Sequence, residues 1–310
     1  MSQADITLIE LTKIFQIGVF KRKTGVDNLT LSIPRGEIIG LLGANGSGKS
    51  TTLKMILGFL RPTRGNILIC GKHAGTRESR SLIGYLPENP RFQKFLTGKD
   101  ILRYFGRLHA MSGAALEKRV DALLDLVGLG SAGLERVQGY SKGMTQRLAI
   151  AQSLLNSPKI LIFDEPMSGL DPLGRIEIRE LIRRVHSEMA QSTIFFTTHI
   201  LSDVESLCSS VALLKKGKLE VFCPIAELLN KDTEHFLLTA ASVPAAMKAK
   251  YMQNHAALES PLGITFAIDG CERLMHHLKE LSQAGAQVVG LNSKRQGLEE
   301  ALFSDKRGVA

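Results

Sequence analysis

Short apolar runs alternate with amphipathic stretches from the N-terminus to about Leu229. DITLIELTKIF and NLTLSI read as strands, and EIIGLLG as a buried strand that runs into a glycine-rich loop. KILIFDEP and STIFFTTH are short and continuously apolar, the pattern of central parallel strands covered on both faces. Helical segments are predicted near 49–58, 98–110, 114–127, 142–156 and 173–190. VALLKKGKLEVF predicts a hairpin with Gly217 in its turn. This alternation predicts an α/β domain.

After LLNKDTEH the pattern changes. HFLLTAA, GITFAIDG and AQVVGLN read as strands, separated by helical stretches near 243–257 and 271–284, and a last helix is expected near 296–303. The organisation expected is therefore a larger domain over residues 1–230 and a small α/β domain over 231–310. A chain of 310 residues is long enough for both.

Composition excludes some classes. No apolar run approaches the roughly 18–20 residues needed to span a bilayer. The opening MSQADITLIELTK lacks a basic region followed by an apolar core, so no secretory signal is read and a cytosolic chain is expected. Cys70, Cys208, Cys223 and Cys271 lie far apart with no CxxC pair, which predicts reduced core thiols with no disulfide framework and no zinc site. The formal charge is +9, and all of the excess lies in residues 1–230, because 231–310 carry nine basic and nine acidic side chains. That imbalance suits nucleic acid, a membrane surface, a polyphosphate ligand or a merely solvated surface, and does not choose among them.

The glycine loop is more specific. Gly43-Ala44-Asn45-Gly46-Ser47-Gly48-Lys49-Ser50 matches GxxxxGK[ST] in full, with a predicted strand before it and a helix after it. Glycines let backbone N–H groups turn inward around phosphate oxygens. Lys49 would place a point charge on the β and γ phosphates, and the Ser50 hydroxyl would ligate Mg²⁺. The loop predicts nucleoside triphosphate binding. Further on, the apolar strand ILIFDE ends in Asp164 and Glu165. Asp164 is a candidate to hold the metal and Glu165 to polarise the attacking water as general base. A second helix-opening turn, YSKGMTQRL at 140–148, has the Ser/Gly character of an anion-binding helix N-terminus, although the chain already has a phosphate loop.

Together these features resemble the ATP-binding subunit of ABC transporters over residues 5–230. After the glycine loop come GYLPE at 84–88, YSKGM at 140–144, ILIFDEP at 160–166, SGLDP at 168–172 and TTH at 197–199. This is that family's series of Walker A, Q-loop, signature, Walker B, D-loop and switch histidine, in its order. The resemblance implies a P-loop fold of a mixed sheet core, a helical signature subdomain and an N-terminal antiparallel β part. It implies ATP and Mg²⁺ as ligands, with Gly43, Asn45, Gly46, Ser47, Gly48, Lys49, Ser50 and Thr51 around the phosphates. Phe15 would stack on adenine, with a core role or Phe20 as alternatives. His199 would contact the γ phosphate and orient the water, and Asp171 would couple two active sites. Ser141, Lys142, Gly143 and Met144 would face the ATP of an opposing subunit.

Two departures stand out. Glu88 occupies the Q-loop position that usually carries Gln, where it would still ligate Mg²⁺ alongside Ser50 and Asp164. The signature reads SKGM where SGGQ is standard, with Lys142 and Met144 as the changes. Both features, and the ending GLEEALFSDK, resemble the exporter-type branch with a separate permease. The implied partner is a membrane permease on the inner face of the cell membrane. The implied assembly is a homodimer or a heterodimer with a paralogue, and no nucleic acid is expected. Phe92, Phe95, Tyr104 and Phe105 would form the groove for the permease or pack in the core. The alternative function is a soluble ABC ATPase acting on ribosomes or nucleic acid.

Overall fold

The first apolar run forms the long strand β1 (Ala4–Ile17), paired antiparallel with β2 (Lys21–Pro34). Its register shifts between Leu8 and Leu11, and Glu10 adopts a left-handed φ of 48°. That bulge puts both leucines, three residues apart, into the core. This computed structural model describes residues 4–17, 21–189, 192–229, 235–254 and 257–294. Phe20 and the helix expected near 296–303 lie outside the described residues.

β3 (Ile38–Leu42) leads into α1 (Lys49–Ile56). Then come β4 (Arg64–Ile69), β5 (Lys72–His73), α2 (Arg77–Ser81) and β6 (Ile83–Leu86). These short strands did not stand out in the sequence, where their apolar positions are too few to show a period. Helices α3 (Gly98–Leu108), α4 (Gly113–Leu126) and α5 (Lys142–Ser153) form the helical part. The chain continues through β7 (Ile160–Asp164), α6 (Pro172–Glu188), β8 (Thr193–Thr198), α7 (Leu201–Leu207), β9 (Ser210–Lys215) and β10 (Lys218–Pro224).

Two sheets organise this unit. One is antiparallel, in the order β2-β1-β4-β5. The other has the order β10-β9-β3-β8-β7-β6 and is parallel except for its β10 edge. Every residue of β3, β7 and β8 is buried, as continuous apolar runs require of strands covered on both faces. One core cluster joins Leu161, Phe163 and Phe196 to the helices, with Leu148, Ile150, Ile178 and Ile182 among its members. A second joins Ile39, Leu41 and Ile162 to the antiparallel sheet through Leu8, Leu31 and Ile69.

The chain divides into two compact units, Met1–Pro224 and Ile225–Ala310. The second begins with α8 (Ile225–Leu229) and continues as β11 (His235–Ala241), α9 (Ala245–Asn254), β12 (Leu258–Ser260), β13 (Gly263–Asp269), α10 (Cys271–Gln283) and β14 (Gln287–Lys294). Its antiparallel order β12-β13-β11-β14 is that of a split βαβ, ferredoxin-like arrangement. Leu238, Phe266, Tyr251 and Leu281 build its core, with the Tyr251 ring stacked 4.3 Å from Phe266. The expectation of core thiols holds only in part: Cys70 and Cys208 pack against the two core clusters of the first unit. Cys271 is exposed, and Cys70, Cys208 and Cys223 are only partly buried.

Candidate active site

The candidate residues are delivered by three neighbouring strands. In the parallel order β3-β8-β7 the carboxyl ends point the same way. The glycine loop after Leu42, His199 after Thr198 and Glu165 after Asp164 therefore emerge side by side, where open α/β sheets bind their ligands. A cleft of about 700 Å³ opens there. That is within the size of small-molecule sites. Asn45, Gly46, Gly48, Lys49, Ser50 and Thr51 line it, together with Glu88, Glu165 and His199 and, from the long hairpin, Phe15, Lys23 and Gly25.

The loop is shaped for phosphate. Gly46 and Gly48 have φ of 80° and 112°, values a side chain would strain. A Cβ on Gly48 would fall 2.6 Å from the Gly25 carbonyl oxygen, and one on Gly43 only 2.4 Å from Ser47 Oγ. Gly48 also opens α1 without any side-chain cap. The first-turn N–H groups and the positive end of the helix dipole are thus available to an anion. Lys49, 6% exposed, donates from Nζ to the Gly43 carbonyl oxygen at 2.7 Å and stands 3.6 Å from Glu165 Oε1. Ser47 Oγ is buried without a hydrogen-bond partner among the described residues. A triphosphate fits this cradle.

The two carboxylates are held differently. Asp164 lies at the buried end of β7, and burial pushes its carboxyl above the ordinary carboxylate range. The Thr197 hydroxyl opposes that shift by donating to Asp164 Oδ1 at 2.7 Å, and the Glu165 charge adds to it. Glu165 has a left-handed φ of 48°, which turns it away from the strand direction. Its backbone N–H donates to Thr197 Oγ1 at 3.0 Å, and its Oε2 accepts from His199 Nδ1 at 2.6 Å. Thr197 thus holds the Asp164 carboxylate and the Glu165 backbone at once, a role the sequence reading missed. Thr197 is one of three buried threonines of β8, and it is singled out only by the strand register that sets it opposite Asp164. Gln146, also not anticipated, donates from Nε2 to the Pro166 carbonyl oxygen at 2.8 Å and ties α5 to the loop after Glu165.

Metal ligation would be shared with the nucleotide. Among the described residues no group of three or more His, Cys, Asp or Glu could hold an ion alone. Mg²⁺ typically takes one or two carboxylates plus substrate phosphates, and Asp164, Ser50 and Glu88 are hard oxygen donors of that kind. Glu88 is exposed on the cleft wall. Burial pushes the Tyr85 hydroxyl up to about 12, and the charges of Asp164 and Glu88 add to that shift.

Other predicted residues stand apart from this cleft. None of Ser141, Lys142, Gly143, Met144 and Asp171 lines it. Ser141 caps α5, its Oγ accepting from Met144 N–H at 3.2 Å. Lys142 runs back over its own SGLDP loop, so that a Cβ on Gly169 would lie 2.1 Å from its Nζ. Asp171 caps α6, its Oδ1 accepting from Gly174 N–H at 3.3 Å. Phe15 is half-buried at the cleft, its ring edge 2.6 Å from where a Cβ on Gly25 would stand, so it is not a core aromatic. The proposed groove divides: Phe95 and Tyr104 are 67% and 57% exposed, whereas Phe92 and Phe105 pack against the core.

The comparisons agree with this geometry. Residues 26–168 match the family described as ABC transporter. The ABC transporter ATP-binding protein sll0415 of Synechocystis is 36% identical over 302 residues, covering 96% of this chain and 83% of that protein. The Nod factor export ATP-binding protein I of Cupriavidus metallidurans is 31% identical, covering 90% of this chain and 98% of its own. Among solved structures, the ATP-binding cassette MJ0796, a dimer in a post-hydrolysis state bound to ADP and Pi, superposes with a TM-score of 0.64. It is 26% identical and covers 71% of this chain and 98% of that one. With its glycine cradle, paired carboxylates and histidine on adjacent strands, the chain belongs to the ATP-binding subunits of ABC transporters.

Proposed function

We propose that this ATPase hydrolyses Mg²⁺-bound ATP in the cleft at the ends of β3, β8 and β7, and that two such subunits closing head to tail drive an export permease. The convergence of Lys49, Glu165 and His199 at the ends of three adjacent strands is the observation that supports it. Lys49 and the loop N–H groups bind the phosphates, with Thr51 on the α phosphate and Phe15 against the base. Bound Mg²⁺ would neutralise phosphate charge, held by Ser50, Asp164 and Glu88. Glu165 takes the proton of the attacking water, and His199, hydrogen-bonded to it, orients that water and contacts the γ phosphate. Phosphate arriving on Lys49 competes with Glu165 for the ammonium, which releases the base toward water.

No helix among the described residues is long and apolar enough to cross a membrane. A separate permease would supply the pathway and hold this subunit at the membrane's inner face, with the exposed Phe95 and Tyr104 as part of its docking groove. The relatives that carry export in their names favour that direction. Residues 1–230 would act as the ATP-binding domain and 231–310 as an accessory domain. Affinity purification from detergent-solubilised membranes tests the assignment. An integral membrane protein is expected to co-purify, and recovery with ribosomes or nucleic acid alone would overturn it.

Glu88 gives a second test. A carboxylate ligates the metal, yet repels the γ phosphate when metal is scarce, whereas Gln does neither as strongly. The native protein should therefore show a steeper loss of ATP hydrolysis at low Mg²⁺ than Glu88→Gln. Superimposable Mg²⁺ titrations of the two proteins would remove Glu88 from the metal site.

A further inference from the structure

Outside the cleft lies a buried ionic network that the hydrolysis scheme does not use. Asp203, in α7, is 1% exposed. Its Oδ2 accepts from Arg175 Nη2 at 2.7 Å and from the Thr198 hydroxyl at 3.3 Å. Arg179 Nη2 stands 3.8 Å from its Oδ1. Removing a carboxylate and guanidinium groups from water is costly, and apolar side chains of similar volume hold helices together at least as well. Packing α6 against α7 is therefore not a sufficient account of these three residues.

Each end of the network reaches a loop that carries a candidate site residue. At one end, Arg175 N–H donates to the Asp171 carbonyl oxygen at 3.0 Å, in the first turn that Asp171 caps. At the other, the Thr198 hydroxyl that donates to Asp203 also accepts from Ile200 N–H at 3.0 Å, and so brackets the backbone on both sides of His199. His199 Nδ1 then donates to Glu165. Asp171, Arg175, Asp203, Thr198, His199 and Glu165 thus form one continuous series of contacts. The network is also not fully paired. Asp203 Oδ1 and Arg179 Nε are both buried without a hydrogen-bond partner among the described residues. A slide of about 1 Å between α7 and α6 would bring Arg179 Nη2 into hydrogen-bond range of that oxygen. Such a slide would give the network a second discrete arrangement, a kind of element through which two loops can be coupled.

We infer that Asp203 is a positioning residue: it transmits the position of the Asp171 loop to His199, so that His199 holds Glu165 for hydrolysis once a second subunit has engaged that loop. This rests on the roles proposed above for Glu165 and His199, and on the coupling of two active sites that the family resemblance implies for Asp171. Asp203→Asn removes the charge at nearly constant shape, and Arg175→Gln interrupts the same link from a side chain 23% exposed, which keeps the test alive if the first variant does not fold. Binding of a fluorescent ATP analogue and KM for ATP should stay within about twofold of the native protein, while kcat falls about tenfold. With Glu165→Gln also present, Asp203→Asn should still form the ATP-dependent dimer on size exclusion. Asp203→Glu, which restores a carboxylate, should recover most of the lost kcat. Unchanged kcat in both variants, or joint loss of nucleotide binding, KM and dimerisation, would overturn the inference. Failure of the underlying site reading is read separately, as normal turnover in Glu165→Gln or His199→Ala alone.

Discussion

Glu165→Gln is expected to lower ATP turnover by about 10²–10⁴-fold, the usual contribution of a positioned general base, while nucleotide binding persists. The substitution is close to isosteric, and the left-handed backbone at Glu165 and the Thr197 hydroxyl that holds its N–H do not depend on the carboxylate. A Gln side-chain oxygen can still accept from His199 Nδ1, so the loop should keep its shape. What disappears is the acceptor for the proton of water, and with it the negative charge 3.6 Å from Lys49. Lys49 then has one competitor fewer for phosphate, so ATP should bind at least as tightly as to the native protein. The combination of tight binding and stalled chemistry should accumulate a closed dimer with Mg²⁺ and ATP. Single-turnover hydrolysis and size exclusion with ATP measure both halves. Native turnover in this variant would show that another group takes the proton.

The site was legible in the sequence where its parts are local. The Lys49 loop, the Asp164–Glu165 pair and His199 each follow a short apolar run, and a strand that ends in chemistry is readable from a few neighbouring residues. The relation between these strands was not readable. β3, β7 and β8 are far apart in sequence, and only hydrogen bonding in the order β3-β8-β7 sets their ends side by side. Thr197 was missed for the same reason, since its role arises from facing Asp164 across the sheet. Asp203 was missed because a carboxylate one turn after a strand reads as solvated surface until Arg175, 28 residues earlier, is seen to close on it. The aromatic residues at 92–105 show the opposite limit. Composition alone could not separate the exposed Phe95 and Tyr104 from the packed Phe92 and Phe105: for Tyr104 and Phe105 that depends on which face of α3 meets α4 and α5, and Phe92 and Phe95 lie in the loop before α3, where no helical period applies.

Ser141→Arg is expected to leave nucleotide binding by a single subunit unchanged and to lower hydrolysis by about 10²-fold or more, the scale of losing a phosphate-stabilising contact. Ser141 is exposed and does not line the cleft that holds Lys49, so its own subunit's ATP has no direct contact to lose. The α5 N-terminus nevertheless has the makings of an anion site, with the Ser141 hydroxyl, the Gly143 backbone and the positive end of the helix dipole together. If it caps the γ phosphate of the opposing subunit, each chain carries two half-sites and neither is complete alone. A long side chain at Ser141 would then hold the two subunits apart. Losing the cap to Met144 should itself cost about 1 kcal/mol, a fall of about 2–4 °C in Tm, and Ser141→Ala isolates that cost. The decisive comparison is between variants. With Glu165→Gln present, Ser141→Ala should still permit the ATP-dependent dimer, whereas Ser141→Arg should not. Loss of monomer binding in Ser141→Arg would mean that this loop faces its own nucleotide, and the second helix N-terminus would have to be explained within one subunit.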